Sequence, residues 1–313
     1  MQRGLERVEE LLRTSVASDF EFVGEASRHL VEAGGKRFRP LLTLLAAQLG
    51  NADAPGVVPA AVVVELTHLA TLYHDDVMDE ADLRRGAPSA NSRWDNSVAI
   101  LTGDFLFARA SDLLADLGPE AVRIQARTFE RLVTGQIRET VGPAEGIDPV
   151  EHYLSVLTDK TGSLVATSAR FGAMFAGVPD AIGKGLTSYG EAIGIAFQIS
   201  DDLLDISSEV GVSGKAPGTD LREGIATLPV LLARAGQVPA EARLRELLAG
   251  PMTDAQVHAE TLAGLRGSDA MVRARSMLAG YVERAKLTLE PLPVGPVRDA
   301  LSSLCDVMLE RTA

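Results

Sequence analysis

The sequence is poor in several residue types, and each shortage excludes a class of protein. Its 313 residues include one cysteine, Cys305, so the small disulfide-bonded secreted domains are excluded. Cys305 lies at helical spacing among apolar residues, which predicts a buried thiol. Aromatic residues make up only 4% of the chain, and the net charge is −13. Because so acidic a chain repels a phosphate backbone, we expect no nucleic-acid partner.

Long apolar runs are also missing. No stretch approaches the roughly 18 apolar residues that a membrane-spanning helix needs. The polar, amphipathic start of the chain does not read as a secretory signal. We therefore expect a soluble, cytoplasmic protein without a transmembrane segment.

Apolar residues recur at helical spacing almost throughout, and glycine and proline fall between the periodic stretches. No convincing strand with a period of two appears. The pattern predicts one all-α domain over residues 1–313. The longer helices are expected over 57–80, 97–117, 119–140, 149–176, 180–207, 226–235, 239–249, 253–264, 268–289 and 294–310.

Two acidic clusters stand out because both fall in apolar helical patterns. In the first cluster, Asp75 and Asp79 are one helical turn apart, with Asp76 beside them. Stacked carboxylates repel unless a cation lies between them, and few hard oxygen ligands on a rigid helix suit Mg²⁺ that shares its shell with phosphate. Taken alone, this pattern is more typical of a solvated acidic helix face.

The second cluster repeats the same DDxxD spacing in another apolar helix, with Asp201, Asp202 and Asp205. Two such clusters rarely arise by chance in one chain, and uncompensated charge in apolar surroundings is costly. We therefore predict that the six aspartates bind Mg²⁺ around a diphosphate.

Basic groups near these clusters are candidates for diphosphate contacts. They are Lys36, Arg37 and Arg39 in the stretch GGKRFRP, the pair Arg84 and Arg85, and the lysines Lys160 and Lys215. Proline at position 40 predicts the first residue of a helix whose N-terminus favours anions. His68 lies two turns before Asp75 on the same face, whereas His74 points about 100° away from it and is expected to pack or orient.

The sequence resembles the trans-polyprenyl diphosphate synthases over essentially its whole length. The matching motifs, in order, are GGKRFRP (34–40), DDVMDEADLRRG (75–86), KTG (160–162), FQISDDLLD (197–205) and GKAPGTDLREG (214–224). The resemblance implies an all-α isoprenoid-synthase bundle around a central cavity, usually a homodimer, with isopentenyl diphosphate and an allylic diphosphate as substrates. It also implies that Mg²⁺ is the cofactor.

The same resemblance assigns roles to individual residues. Isopentenyl diphosphate would contact Lys36, Arg39, His68 and Arg85. The allylic diphosphate would contact Arg84, Lys160, Thr161, Gln198 and Lys215. Asp75, Asp79 and Asp201 would be metal ligands; Asp76, Asp202 and Asp205 would be ligands or partners of ligands. The catalytic set is therefore Asp75, Asp79, Asp201, Lys160 and Lys215.

Two features bear on the substrates less directly. Many family members have lysine where this chain has Ile225, which removes one phosphate contact, and Arg311 loosely matches a basic C-terminal tail of the protein chain.

The growing isoprenoid tail of the product should run past Ala70 and Thr71, where bulky aromatics stop growth early in this family. The small residues here favour a long product of about C30 or more, by analogy with related enzymes, over C15 or C20.

Several alternatives remain. A short-chain farnesyl or geranylgeranyl diphosphate synthase would share every motif. A terpene cyclase should replace the second cluster with a mixed Asn/Ser/Glu motif, and a non-catalytic subunit of a heteromeric synthase should have lost aspartates or lysines. An HD-type phosphohydrolase needs more well-placed histidines, and an EF-hand needs alternating aspartates around a glycine.

Overall fold

The computed structural model describes residues 1–208, 217–250, 252 and 254–312, and these are almost entirely helical. In the first half of the chain the helices are α1 (Gln2–Ser15), α2 (Glu21–Glu32), α3 (Phe38–Ala47), α4 (Val57–Met78), α5 (Ala90–Arg93), α6 (Asn96–Leu117) and α7 (Pro119–Val141). The later helices are α8 (Pro149–Leu157), α9 (Ser163–Phe175), α10 (Asp180–Ser207), α11 (Thr219–Arg222), α12 (Leu228–Ala235), α13 (Ala242–Ala249), α14 (Ala255–Arg266), α15 (Asp269–Thr288) and α16 (Pro296–Glu310). The prediction of an all-α fold is confirmed.

The chain divides into two compact units. Unit 1 comprises Met1–Glu130 and Leu164–Thr187, and unit 2 comprises Arg131–Ser163 and Ser188–Ala313. Each unit carries one of the two aspartate clusters. That residues 1–313 form a single domain stays a prediction.

Helix α4 forms the centre of unit 1. Its first turns are buried on every side, including the β-branched run Val62, Val63 and Val64. A helix that is apolar all round belongs in a core. By length and mean hydropathy α4 alone, among the described helices, passes for a membrane span, but 72% of its most apolar window is buried inside the protein. Only its last turns reach the surface, and these carry the first aspartate cluster.

Close packing of α6 fixes the end of α4. A Cβ on Gly103 of α6 would lie 2.3 Å from Nε2 of His74 and 3.1 Å from the carbonyl oxygen of Ala70. His74 Nε2 is 3.1 Å from the carbonyl oxygen of Ile100. As expected from its direction on the helix, His74 therefore packs against a neighbouring helix. Only glycine at position 103 permits this approach.

In unit 2, α10 packs against α16. The hydroxyl of Tyr189 donates a 2.8 Å hydrogen bond to the carbonyl oxygen of Leu301. Cys305 lies nearby with no exposed surface, and burial raises its pKa to about 11. The prediction of a buried thiol is confirmed.

The structure departs from the predicted helices in several places. The stretch 149–176 is α8 and α9 separated by a π-helix, Thr158–Gly162, because one extra residue is accommodated there. A β-hairpin pairs Leu83–Arg84 with Ala87–Pro88, and strands of two residues are too short to show a period of two. The short helices α5 and α11 were likewise not predicted.

Helix α3 begins two residues earlier than predicted. It starts at Phe38, so Pro40 is its third residue rather than its first. Proline is still tolerated there, because the first N–H groups of a helix have no partner within it. Arg37 precedes the helix with a left-handed φ of 46°.

Candidate functional site

The first aspartate cluster lies at the C-terminal end of α4 in unit 1. Asp75 is partly exposed, and the side chain of Asp79 is 59% exposed. Asp76 has no exposed surface, and its Oδ1 accepts a 2.5 Å hydrogen bond from Nε of Arg84. Burial raises the pKa of Asp76, although Arg84 opposes this. Asp75 and Asp79 are therefore the two carboxylates of this cluster that reach solvent.

Arg84 and Arg85 come from the β-hairpin that follows α4. The two central residues, Arg85 and Gly86, have φ of 54° and 79°, the sign that a type I′ turn requires. Arg85 is a non-glycine residue in the left-handed region, a conformation that costs energy and is typical of functional sites. The turn points the two arginine side chains in different directions.

Arg84 faces the aspartates, and Arg85 reaches back to the GGKRFRP stretch. Nη2 of Arg84 is 4.0 Å from Oδ2 of Asp79. Nη1 of Arg85 donates to the carbonyl oxygens of Leu30, at 3.1 Å, and Gly34. A Cβ on Gly35 would lie 2.9 Å from Cζ of Arg85, so the second glycine of this stretch makes room for the guanidinium.

Arg39, His68 and Arg85 form a cluster of basic side chains in unit 1. Burial lowers the pKa of Arg39 to about 10, with Arg85 adding repulsion and Glu65 opposing it. Burial is the main cause that holds the pKa of His68 well below 6.5, and the charges of Arg39 and Arg85 lower it further. Nε of Arg39 is buried and meets no hydrogen-bond partner among the described residues. This arrangement is unfavourable by itself and suits an anionic ligand.

The three cations of GGKRFRP have different surroundings. Lys36 is exposed. Arg37 is buried and fully paired: its Nε lies 2.6 Å from Glu9, its Nη1 2.9 Å from Glu65, and its Nη2 2.9 Å from the carbonyl oxygen of Val31. Arg37 therefore ties α3 to the rest of unit 1. Of the three, Lys36 and Arg39 remain candidates for diphosphate contacts.

The second cluster lies on α10 in unit 2, and its three carboxylates also differ. Asp201 is 37% exposed, and its Oδ1 lies 2.7 Å from Nη2 of Arg311. Asp205 accepts backbone hydrogen bonds from Thr219, at 3.1 Å, and Asp220, at 3.2 Å, and so orders the start of α11. Asp201 and Asp205 are both partly exposed.

Asp202 is almost completely buried and accepts hydrogen bonds at both oxygens. Oδ2 accepts from the hydroxyl of Tyr153 and, at 3.4 Å, from the backbone of Leu228; Oδ1 accepts from Gln198 at 3.3 Å. Burial raises the pKa of Asp202 to about 7, although Tyr153 and Gln198 oppose this. Gln198, predicted to contact substrate, therefore supports Asp202 here.

Lys160 is the third residue of the π-helix. π-helical turns inserted between α-helices occur often at functional sites. Its Nζ is 2.5 Å from Glu139 of α7. A Cβ on Gly135 would lie only 2.6 Å from the backbone nitrogen of Lys160, so α7 approaches the π-helix through a glycine. Thr161 is partly exposed beside it.

An ion-pair network around the π-helix was not predicted from the sequence. Nε of Arg131 is 2.9 Å from Oδ1 of Asp159, and its Nη2 is 3.0 Å from Glu191. Arg138 Nη1 is 2.7 Å from the other oxygen of Asp159. Asp159 precedes the KTG motif, and that position is the only sequence signal for the network. No sequence signal pointed to Tyr153, the hydrogen-bond partner of Asp202.

For several residues predicted to shape the substrate site, the structure gives the position but no contact that tests the predicted role. Ala70 is buried, and Thr71 is partly exposed with its hydroxyl donating to the carbonyl oxygen of His68 at 2.8 Å. Ile225 is half exposed. Lys215 lies outside the described residues.

The donors present fit a metal that is shared with a ligand better than a closed metal cage. In the part of the chain that the structure describes, no three His, Cys, Asp or Glu side chains converge tightly enough to hold an ion. Mg²⁺ commonly takes one or two protein carboxylates and completes its shell with phosphate oxygens and water. Asp75 and Asp79 in unit 1, and Asp201 in unit 2, reach solvent and are the candidates for this role.

Comparisons with known proteins agree with this arrangement. A sequence model of the family described as polyprenyl synthetase matches residues 20–264. The chain is 52% identical to a nonaprenyl diphosphate synthase of Mycobacterium tuberculosis, over 99% of this chain and 93% of the relative.

Solved structures agree as well. A geranylgeranyl pyrophosphate synthase of Corynebacterium glutamicum, complexed with calcium and isoprenyl diphosphate, matches with a TM-score of 0.90 and 46% identity over 99% of this chain and 96% of the other. A decaprenyl diphosphate synthase of Rhodobacter capsulatus matches with a TM-score of 0.90 and 35% identity over 100% and 97% of the two chains. The chain belongs to the polyprenyl synthetase family and is a prenyltransferase with the all-α fold of that family.

Proposed function

We propose that this enzyme condenses isopentenyl diphosphate with an allylic diphosphate to make a long-chain trans-polyprenyl diphosphate. The cluster of basic side chains Arg39, His68 and Arg85 is the observation that carries the proposal. Burial lowers the pKa of all three side chains, and a carboxylate pair that reaches solvent, Asp75 and Asp79, belongs to the same unit. An anion that brings its own divalent metal, such as a diphosphate, satisfies both features.

The proposed roles follow from the chemistry of each group. Lys36, Arg39, His68 and Arg85 hold the diphosphate of isopentenyl diphosphate. His68, whose pKa is depressed by burial and by the arginines, acts as a neutral hydrogen-bond donor. The allylic diphosphate is held by Arg84, Lys160, Thr161, Gln198 and Lys215. The lysines and arginines match the charge that grows on this diphosphate as it leaves.

The reaction needs no strong base from the protein. The allylic C–O bond breaks to give a resonance-stabilised carbocation and pyrophosphate, and the double bond of isopentenyl diphosphate attacks the cation. The proton lost from the new tertiary cation goes to pyrophosphate. When bound, Mg²⁺ supplies positive charge to the departing diphosphate. Asp75 and Asp79 in unit 1, and Asp201 in unit 2, would be metal ligands, each in its own unit, with Asp76, Asp202 and Asp205 as ligands or supports.

The choice of Mg²⁺ rests on its preference for few carboxylates and shared phosphate oxygens. The relative from Corynebacterium glutamicum is described with calcium, so a divalent metal is expected in either case. Removing divalent metal with a chelator should abolish activity, and adding Mg²⁺ should restore it. Full recovery with Ca²⁺ alone would contradict the choice.

A long product is supported by the small residues Ala70 and Thr71 and by two relatives described as nonaprenyl and decaprenyl diphosphate synthases. The second candidate is a C20 product, favoured by the relative described as a geranylgeranyl pyrophosphate synthase. Supplying isopentenyl diphosphate with C5, C10, C15 and C20 primers and Mg²⁺, and then measuring product lengths, distinguishes the two.

We also propose a cytoplasmic homodimer. The single cysteine is buried and forms no internal disulfide, which suits a reducing compartment. On α6, Ile100 and Leu101 are exposed, the latter by 66%, and apolar side chains of this kind favour association. In sedimentation experiments the wild type should be a dimer and Leu101→Glu a monomer. A monomeric wild type would contradict the proposal.

Replacing Asp75 by alanine tests the reaction class. Loss of one metal ligand should lower turnover by two or more orders of magnitude while the melting temperature stays within a few degrees of that of the wild type. Glu290→Ala, which removes an exposed carboxylate from the segment after α15, is the matched control and should have normal turnover. Near-normal turnover of Asp75→Ala would exclude this assignment.

A further inference from the structure

The β-hairpin that carries Arg84 and Arg85 is held from outside by a histidine that the proposed mechanism does not use. Nε2 of His29, on α2, lies 2.7 Å from the carbonyl oxygen of Pro88, the last residue of the hairpin. Nδ1 of the same ring lies 3.2 Å from Nη1 of Arg93 on α5. His29 therefore connects α2, α5 and the hairpin.

The two contacts of His29 define its proton arrangement. A guanidinium can only donate hydrogen bonds, so Nδ1 of His29 must accept from Arg93. Nε2 must then carry the ring proton and donate it to the carbonyl oxygen of Pro88. The ring is neutral in this arrangement, and both of its nitrogens have a partner.

Arg93 is itself fixed in two ways. Its Nη2 donates to Oε1 of Glu25, one turn before His29 on α2. Its Cζ also lies 4.5 Å from the ring centroid of Trp94, which in turn meets the ring of His29 edge-on at 5.2 Å. A guanidinium that is paired and stacked has few other positions to adopt.

We propose that Glu25, His29 and Arg93, here called the hairpin clamp, are positioning residues that keep Arg84 and Arg85 in place to bind diphosphate. The inference rests on the proposed function, because it gives these arginines a ligand.

The hairpin needs such support because its own structure is weak. Its strands are two residues long, and an isolated hairpin of that size is not stable in water. Its turn holds Arg85 in the left-handed region. Burial lowers the pKa of Arg85, and Arg37 and Arg84 add repulsion, although Glu65 opposes this. The short strands, the strained turn and the disfavoured charge favour release of the hairpin, and the clamp opposes it.

Limited trypsin digestion tests the clamp without reference to activity. Trypsin cleaves after Arg84 and Arg85 only when the hairpin opens, and cleavage after the exposed Arg222 provides an internal reference. His29→Phe keeps the ring beside Trp94 but removes both hydrogen bonds. We expect hairpin cleavage to accelerate roughly tenfold, the effect of losing a hydrogen bond or two, while cleavage after Arg222 stays unchanged.

Steady-state kinetics tests the positioning role. His29→Phe and Arg93→Met should raise the KM for a diphosphate substrate roughly tenfold, with kcat at saturation changed by less than about threefold. His29→Gln keeps an N–H that can reach Pro88 and should recover most of the loss. Arg243→Met removes an exposed arginine that is 3.0 Å from Glu260 and serves as the matched control without effect.

The two measurements separate the failure of the clamp from that of the proposed function. Unchanged hairpin cleavage in His29→Phe overturns the clamp, whatever the kinetics show. Faster cleavage with an unchanged KM overturns the positioning role and also counts against a diphosphate at Arg84 and Arg85. Faster cleavage, a raised KM and recovery in His29→Gln support the inference. A wild type without prenyltransferase activity would reject the proposed function, while the digestion would still test the clamp.

Discussion

The middle aspartate of each cluster is buried, whereas a neighbour in the same cluster reaches solvent. Asp76 and Asp202 are 0% and 3% exposed, against 59% for Asp79 and 37% for Asp201. The middle residue accepts hydrogen bonds from side chains that the sequence motif does not contain, Arg84 in one case and Tyr153 in the other. In each cluster, therefore, one aspartate reaches solvent, where it can meet a ligand, and the middle one joins a buried hydrogen-bond network. The reason is that helical geometry turns the middle aspartate toward the core.

Burial of Asp202 should make stability depend on pH. Its pKa is about 7 in the folded protein, against an ordinary 3.8. The unfolded chain releases this proton near pH 4, whereas the folded protein keeps it until about pH 7. The contribution of Asp202 is fully present below pH 4 and is lost as the pH rises to 7. In that window the free energy of unfolding should fall by up to about 1.4 kcal/mol per pH unit.

Urea unfolding of the metal-free protein between pH 4 and 8 measures this effect. Asp202→Asn replaces a protonated carboxyl by a neutral group of the same shape, and so should be less dependent on pH than the wild type. Glu290→Asn is a control at an exposed position and should follow the wild type. Parallel curves for the wild type and Asp202→Asn would show that Asp202 is ionised in the folded protein.

Arg37 and Arg39, two residues apart, should respond in opposite ways to loss of their charge. Arg37→Met leaves Glu65 buried without its partner and should lower the free energy of unfolding by about 3–5 kcal/mol. Arg39→Met removes a charge that burial disfavours, so the free energy of unfolding should not fall. Arg39→Met should instead lose most of the rise in melting temperature that Mg²⁺ and inorganic pyrophosphate give the wild type.

Chemical denaturation and thermal shift of both variants provide the measurement. Arg39→Lys is a useful companion, because it restores the charge without the planar guanidinium and should recover part of the ligand effect. A destabilised Arg39→Met with a normal response to pyrophosphate would assign Arg39 to the fold rather than to the ligand.

At the scale of elements, the π-helix between α8 and α9 depends on one close approach. Gly135 of α7 faces the backbone of Lys160, and a Cβ there would lie at 2.6 Å, which no real contact permits. Gly135→Ala should therefore displace the π-helix and lower the free energy of unfolding by about 1–3 kcal/mol. Because Lys160 moves with the backbone, kcat/KM should fall by more than the stability change alone explains.

Gly280 offers a matched control for this change. It lies inside α15, and within the described residues no atom approaches a Cβ at this position to less than 4 Å. Gly280→Ala should raise the free energy of unfolding by about 0.5–1 kcal/mol, because alanine loses less entropy in a helix. Denaturant unfolding and steady-state kinetics of both variants measure the contrast. Equal effects of the two substitutions would show that the approach of α7 does not shape the π-helix.

At the scale of the whole molecule, the sequence predicted the helices and the reaction but not the local supports. Helices α4, α6, α7 and α10 lie within two residues of their predicted bounds, because long apolar patterns are strong signals. The order of motifs identified the family, which the comparisons confirm. The π-helix depends on the approach of Gly135, and the supporting ions Arg131 and Asp159 come together only in the folded chain. Such contacts between distant residues leave no periodic trace.

Product length belongs to the same scale, because a long tail extends past any single residue of the site. Thr71 lies one helical turn, about 6 Å, before Asp75 and is partly exposed. Ala70 is buried, with its carbonyl oxygen facing Gly103 of α6. Ala70→Phe should shorten the product but also lower the free energy of unfolding by about 1–3 kcal/mol, because a large ring does not fit a packed helix interface. Thr71 is the cleaner position for the test.

Thr71→Phe should shift the product from about C30 or more toward C15–C20 by blocking the path of the tail, with little loss of stability. Thr71→Val keeps the shape of the side chain and removes only its hydrogen bond to the carbonyl oxygen of His68, so its product length should match that of the wild type. Chromatography of the dephosphorylated products, made from one primer at fixed isopentenyl diphosphate concentration, measures both. Unchanged length in stable Thr71→Phe and Ala70→Phe enzymes would place the stop for the tail elsewhere in the protein.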